Sequence, residues 1–326
     1  VTAARIVLEV AGLSVTYPRG LGRTPITAVS DVSFNVARGE TVSIVGESGS
    51  GKTTIGSAIL GLQPVAKGSI RLNGTDIAYL SRRERSAFRE TLQAVFQDPF
   101  SSLDPTKTIG DAVGEPLRVA KPKMRAEETR RLVAEALARV GLDPEVAHRF
   151  PAEFSGGQRQ RIAIARALIL KPEIVVCDEA VSALDVSVQA QVLNLLETLQ
   201  REEGVSYIFI SHNMAAVRHI SDRIVVLYRG RVMEEGDAED VCDRPAHPYT
   251  RSLLASVPVP DARAQRERRR LRGLMAAAAK GGAMPGTGCP FAPRCPFAAD
   301  ICVTAPPPLV EIGGGRRVAC VRIEEV

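Results

Sequence analysis

Four groups of residues in this chain have the types and spacing that do chemistry. The first is Gly46-Glu47-Ser48-Gly49-Ser50-Gly51-Lys52-Thr53, continued by Thr54. It sits between a β-branched apolar run (Val42, Ile44, Val45) and a helix-like stretch carrying Ile55, Ile59 and Leu62. Glycines so placed let successive backbone N–H groups turn around phosphate oxygens, and the helix N-terminus adds its positive dipole end. A lysine at position 52 can reach β- and γ-phosphates, and the Thr53 hydroxyl can hold Mg²⁺. The spacing predicts a site for a nucleoside triphosphate. The second group is Asp178-Glu179, closing the apolar run from Ile174 to Cys177. Strand ends are where an α/β sheet places its ligand groups. The aspartate suits a Mg²⁺ shell, and the glutamate can act as general base on an attacking water.

The third group, Ser155-Gly156-Gly157-Gln158, opens another helical stretch and forms a second potential anion cradle. One nucleotide does not need two cradles from one chain. The second therefore implies a nucleotide held by a partner chain. The fourth group is Cys289, Cys295, Cys302 and Cys320, four of the six cysteines, in a proline-rich and histidine-poor tail. Such a set in a cytosolic context argues against disulfides and suits a four-thiolate site. Intervals of five, six and seventeen residues lack the tight Cys-x-x-Cys pairs that zinc prefers. An iron–sulfur cluster, zinc and unligated thiols all stay open on the residues alone. Cys177, inside an apolar run, and Cys242 read as packing residues.

The elements that must position these groups alternate. Strands are predicted over 6–17, around Val32–Val36, before Gly46, over Leu92–Phe96, over Ile174–Cys177 and over Tyr207–Ile210. Asn73-Gly74 signals a hairpin within 68–77, and Arg229-Gly230 another within 223–234. Ser81-x-x-Glu84 is a capping box opening a charged helix. Further helices are predicted over 106–118 in part, over 125–142 with Leu132, Ala136 and Val140 in one stripe and Val133 and Leu137 beside it, after Ser155, and over a stretch facing inward through Val188, Val192, Leu195 and Leu199. This order points to an α/β architecture with a largely parallel sheet. From about Pro258 the texture becomes rich in proline, arginine, alanine and glycine, as in a linker.

Composition narrows the class. The net charge is +5, but the excess lies in one run, Arg263 to Arg272, with six arginines and one glutamate. Without that run the totals of 42 basic and 37 acidic residues become equal. Aromatic residues make up 4% and tryptophan is absent, so a base-stacking platform for nucleic acid is not expected. The basic run reads as a solvated linker, with contact to anionic lipid as the sharper option. No apolar run approaches the roughly 18 residues of a membrane span, and the start lacks a signal peptide's long apolar core. A cytoplasmic location is expected.

Taken in order, these residues resemble the ATPase subunit of an ATP-binding-cassette (ABC) transporter, over about residues 6–257. Tyr17 matches the adenine-stacking aromatic, Gly46 to Thr53 the Walker A loop, and Gln97 the Q-loop that touches Mg²⁺. Ser155 to Gln158 match the signature motif, Asp178 and Glu179 Walker B with its catalytic glutamate, Asp185 the D-loop (Ser182 to Asp185), and His212 the switch histidine. Phe154, Ala180 and Asn213 depart from the usual leucine, proline and aspartate, and none of these removes a group that handles phosphate or water. The resemblance implies a P-loop NTPase cassette with a RecA-like parallel-sheet core, an antiparallel β subdomain and an α-helical signature subdomain (about 98–170). ATP and Mg²⁺ (Thr53, Gln97, Asp178) are implied with it.

His247-Pro248-Tyr249-Thr250 with Leu253-Leu254, then Gly288-Cys289-x-Phe291-x-x-Arg294-Cys295-Pro296, resembles the C-terminal region of oligopeptide/dipeptide importer ATPases. Here an alanine-rich approach replaces a proline-rich one, and Val321 follows Cys320 where histidine is common. This implies a tail over 258–326, with a linker at 258–288 and a [4Fe–4S] cluster on the four cysteines at 289–320. It also implies a second, related but non-identical ATPase chain, two transmembrane permeases, an extracytoplasmic substrate-binding protein and a peripheral place at the cytoplasmic face of the inner or plasma membrane. Nickel or an oligosaccharide is the alternative solute. A soluble ABC ATPase acting on nucleic acid or ribosomes is the rival class, and such proteins generally join two cassettes or insert a long coiled coil, which this chain lacks.

Overall fold

Alternating apolar and polar residues make the first segment a half-buried hairpin. In the computed structural model, which describes residues 5–20, 23–98, 102–257, 261–278 and 287–325, β1 (Ile6–Arg19) pairs antiparallel with β2 (Arg23–Ala37). The next strand, β3 (Thr41–Val45), is buried along its whole length and leads through the glycine loop into α1 (Lys52–Ile59). β4 (Lys67–Leu72) and β5 (Thr75–Asp76) turn at Asn73-Gly74, where both φ values are positive, as a tight two-residue hairpin requires. These strands complete an antiparallel sheet in the order β2-β1-β4-β5. The capping box at Ser81 and Glu84 forms, but α2 (Arg82–Arg85) is only one turn long before a 3₁₀ turn over Ser86–Phe88.

β6 (Leu92–Val95) opens the second half. Between it and β7 (Ile174–Asp178) stand three helices, α3 (Ile109–Ala120), α4 (Ala126–Arg139) and α5 (Gly156–Leu168). Val133, Ala136 and Leu137 of α4 and Val140 just beyond it are buried among them, with Leu132 half-buried at the margin of that face. Then follow α6 (Val186–Glu203), β8 (Ser206–Ser211), α7 (Met214–Ile220), β9 (Arg223–Tyr228), β10 (Arg231–Asp237), α8 (Ala238–Asp243) and α9 (Pro248–Ala255). The burial stripe of α6 runs through Val192, Leu193, Leu196 and Leu199, with Val188 and Leu195 at its margin. The near-continuous apolar strands β3, β7, β8 and β9 lie side by side with helices over them, the pattern of a sheet covered on both faces.

The tail departs from the linker expectation. Residues 262–278 form a helix, α10 (Ala262–Ala278), because alanine, arginine, glutamine, leucine and glutamate are all good helix formers. Leu271 and Met275 anchor it on the main core, while Arg263, Arg266, Arg269, Arg270 and Arg272 stay exposed. Beyond α11 (Ile301–Thr304), β11 (Val310–Glu311) and β12 (Arg317–Val318) add to the sheet edge beside β10. Among the described residues the sheet runs β11-β12-β10-β9-β3-β8-β7-β6, parallel from β9 to β6 and antiparallel beyond β9. Buried Glu234 of β10 ties the tail down: it accepts from Arg316 at 2.9 Å and from the backbone N–H groups of Ala246 and His247.

Candidate active site

Because β3, β7 and β8 are parallel neighbours, their C-terminal ends face one edge, with Val45 opposite Ser211 and Asp178 opposite Ile210. The glycine loop leaves that edge. Gly46 has φ 155°, and a Cβ there would lie 2.1 Å from the Leu227 carbonyl oxygen; Gly51 has φ 103°, with Ala28 O at 2.7 Å. No side chain fits at either place, and the backbone is held close to β9 and β2. Lys52 Nζ folds across the loop and donates to the carbonyls of Gly46 (2.9 Å) and Glu47 (3.0 Å). Burial lowers its pKa, opposed by the carboxylates of Glu179, Asp178 and Glu47. Ser50 Oγ is buried without a hydrogen-bond partner among the described residues, a spare polar group inside an anion cradle.

Thr53 Oγ1 donates to Asp178 Oδ1 at 3.2 Å, joining α1 to the end of β7. Burial raises the Asp178 pKa; the Thr53 hydrogen bond pulls it back and the Glu179 charge adds to the rise. A half-buried carboxylate beside a threonine hydroxyl is an oxygen pair suited to Mg²⁺. Glu179 turns away with φ 49°, an uncommon value for a side-chain-bearing residue, and its backbone is held by Ile210 and Ser182. That turn presents its carboxylate to His212, with Oε1 at 3.1 Å from Nδ1. Tyr17 OH lies 3.2 Å from Thr54 Oγ1, so the aromatic from β1 stands over the first turn of α1. Gln97 is exposed, two residues past the end of β6, beside the β7 strand that ends in Asp178.

The second cradle is built elsewhere. Ser155 caps α5 by accepting from Gln158 N, and Gln158 Oε1 accepts from Ser155 N at 3.0 Å. Gly157 packs so tightly on α6 that a Cβ would lie 2.3 Å from Val188 Cγ1, whereas one at Gly156 would meet only Leu184 at 3.7 Å. Asp185 caps α6 through Val188 N at 2.9 Å and Ser187 Oγ, bonds that hold its carboxyl below the ordinary range. Asn213 caps α7, a role for which asparagine serves as well as aspartate. Among the described residues no hydrogen bond links Ser155–Gln158 to the loop at 46–54. The structure thus brings together Tyr17, the glycine loop, Asp178, Glu179 and His212, and leaves the second cradle apart.

Known proteins are similar to this chain in sequence and fold. Residues 29–182 match the family model described as ABC transporter, and 233–302 the one described as oligopeptide/dipeptide transporter, C-terminal region. A Brucella abortus (strain 2308) protein, named as an ATP-binding protein of peptide import, is 49% identical over 97% of each chain. The oligopeptide transport ATP-binding protein OppF of Escherichia coli (strain K12) is 43% identical over 98% of this chain and 97% of its own. The chain belongs to the ABC transporter ATP-binding proteins. Among solved structures, the ATP-binding cassette MJ0796, in a dimeric post-hydrolysis state bound to ADP and Pi, superposes with TM-score 0.64 at 32% identity, covering 71% of this chain and 98% of that one. Cassette cbiO1 of Clostridium perfringens gives 0.65 at 28% identity, over 74% and 92%.

The tail of this ABC protein gathers its cysteines. Cys289, Cys295, Cys302 and Cys320 line one cavity with His247 and Phe291. Burial pushes the Cys295 thiol up to about 11 and raises those of Cys289 and Cys320, with neighbouring cysteines adding to the effect. The cavity is about 20 Å³, room for roughly one water. Among the described residues no three His, Cys, Asp or Glu side chains are grouped to hold a single metal ion. One tetrahedral zinc needs four sulfurs only about 3.8 Å apart. Cys177, pushed up to about 12 by burial, and Cys242 are packing residues in the core. No described helix is long and apolar enough to cross a membrane. Sequence reasoning missed that Arg294 and Tyr249 reach the glycine loop, because no local spacing pairs residue 47 with residues 249 and 294.

Proposed function

We propose that this ABC ATPase powers a membrane importer of di- or oligopeptides by closing, on ATP, against a second, related cassette. The observation that carries the mechanism is the Glu179–His212 contact of 3.1 Å at the strand edge that also holds the glycine loop. Glu179 Oε accepts a proton from the attacking water. His212 holds that carboxylate in place, and Lys52 with the loop N–H groups binds the β- and γ-phosphates. Thr53, Asp178 and Gln97 would hold Mg²⁺, whose charge would neutralise the phosphoryl oxygens. Tyr17 is the platform for adenine. Ser155, Gly156, Gly157 and Gln158 complete the partner's site, with Asp185 at the junction; the dimeric state of MJ0796 supports this reading.

Peptides as the solute are supported by the C-terminal region and by the names of the relatives. In this reading the chain sits at the cytoplasmic face of the membrane on two permeases, fed by an extracytoplasmic binding protein, and acts on no nucleic acid. In this reading the four cysteines carry a [4Fe–4S] cluster that staples a tail with few apolar residues; what supports a four-thiolate site is that all four thiols line one cavity. The functional test is ATPase of the reassembled complex in vesicles. Peptide-loaded binding protein should stimulate it, and stimulation by a nickel chelate or an oligosaccharide alone would reassign the solute. Metal analysis of anaerobically purified protein should give about four irons and four sulfides per chain. One zinc and a colourless sample would end the cluster reading.

A further inference from the structure

Among the described residues the tail's hydrogen bonds to the glycine loop fall on Glu47. Arg294 reaches it with both ends of its guanidinium, Nη1 to Oε2 at 2.7 Å and Nη2 to Oε1 at 2.8 Å. The Glu47 backbone N–H donates to Tyr249 OH at 2.8 Å, and its carbonyl accepts from Lys52. All three polar groups of this residue are thereby fixed, two of them by the C-terminal region. The fork is itself held: Arg294 Cζ stands 5.6 Å from the Phe291 ring centroid and 5.8 Å from that of Tyr228. Tyr228, Tyr249 and Phe291 pack on one another with centroids 4.5 to 5.4 Å apart, and Tyr249 and Phe291 are fully buried. The 3₁₀ turn that delivers Arg294 (Ala292–Arg294) ends at Cys295.

A carboxylate in a phosphate-binding loop is an electrostatic liability. Unpaired, it stands beside the triphosphate charge and competes for Lys52, on which it already acts. A bidentate guanidinium neutralises it and draws it out of the cradle, which lysine's single point charge does less well. From this we infer that Arg294 is a positioning residue for nucleotide binding: with Tyr249 it clamps Glu47 and carries the folded state of the tail to the glycine loop. The inference rests on the ATPase reading above. It gives the tail a task at the site, beyond stapling itself.

The test is a double-mutant cycle in the full chain, reading the Kd of a fluorescent ATP analogue with Mg²⁺, and KM and kcat in the assembled complex. R294Q should weaken binding and raise KM by about fivefold, with kcat within about twofold, the scale expected for a half-exposed but bidentate pair. R294K keeps the charge and the aliphatic stem, serves as the folded control for R294Q, and should fall between wild type and R294Q. Added to R294Q, E47Q should restore the affinity of E47Q alone, since no carboxylate is left to neutralise. A tail-stapling role alone would not be rescued in this way. Wild-type affinity in both Arg294 variants, or single effects that simply multiply in the double variant, would overturn the inference. A wild-type chain that binds no MgATP would instead strike the ATPase reading, and the inference with it.

Discussion

The loops at Gly46–Gly51 and Ser155–Gly157 use the same device, glycine at the N-terminus of a helix, but they are furnished differently. Around the first stand a buried lysine, a threonine–aspartate pair, a glutamate–histidine pair and a tyrosine, drawn from β1, α1 and the ends of β7 and β8. Around the second stand the loop's own cap bonds, with Gly157 against α6 and Gly156 near Leu184 just before it. The first N–H groups of α5 have no intrahelical partners, as at any helix start. The first cradle has the groups that phosphoryl transfer calls for; beside the second stands Arg159, which donates to the Phe154 carbonyl at 2.8 Å, and no glutamate–histidine pair like that of the first is joined to it by a hydrogen bond among the described residues. On the proposed function, the difference means that each chain carries one site and a fragment of a second.

Removing the base should have the largest effect on this comparison. E179Q should bind ATP nearly as well as wild type while turnover of the assembled complex falls by about 10² or more, the scale of general-base loss. A steady-state rate close to wild type would take Glu179 out of its role and leave the first cradle without a base. The second cradle is probed more sharply by Gly156 than by Gly157. A methyl at Gly157 strikes Val188, so its loss of function could be a packing defect. A methyl at Gly156 has ordinary contact distance to Leu184, and the chain itself tolerates it. G156A should keep its melting temperature and its nucleotide affinity as an isolated chain, yet lower ATPase of the complex by about tenfold by shifting the ligand it faces. Unchanged ATPase would mean that the cradle does not touch phosphate.

The first cradle was legible because its parts are nearly contiguous or stand at strand ends, where a parallel sheet gathers them: Lys52 and Thr53 follow the loop, and Asp178 and Glu179 close β7. The core strands were legible for the same reason, since runs such as Tyr207–Ile210 specify burial by composition alone. The tail was less so. Strands of two residues, β11 and β12, have no periodicity to detect, and they exist because β10 presents an edge with Glu234 and Glu235 to pair with Arg316 and Arg317. The arginine run looked like a solvated linker by charge, whereas its backbone propensity and the apolar pair Leu271 and Met275 make it a docked helix. The ion pair between Glu47 and Arg294 joins residues 247 positions apart and becomes visible only when the fold closes.

Whether the two cradles belong to one site or to two chains is decided by concentration. Purified full-length chains, alone and with the related partner cassette, can be assayed for initial ATPase rate per chain across dilution, with sedimentation reporting the monomer fraction. A shared site predicts that the rate per chain falls as monomer accumulates and recovers when the partner cassette is added. A rate per chain that stays high in fully monomeric protein would show that the loop at Gly46–Gly51 works alone, and would contradict the account.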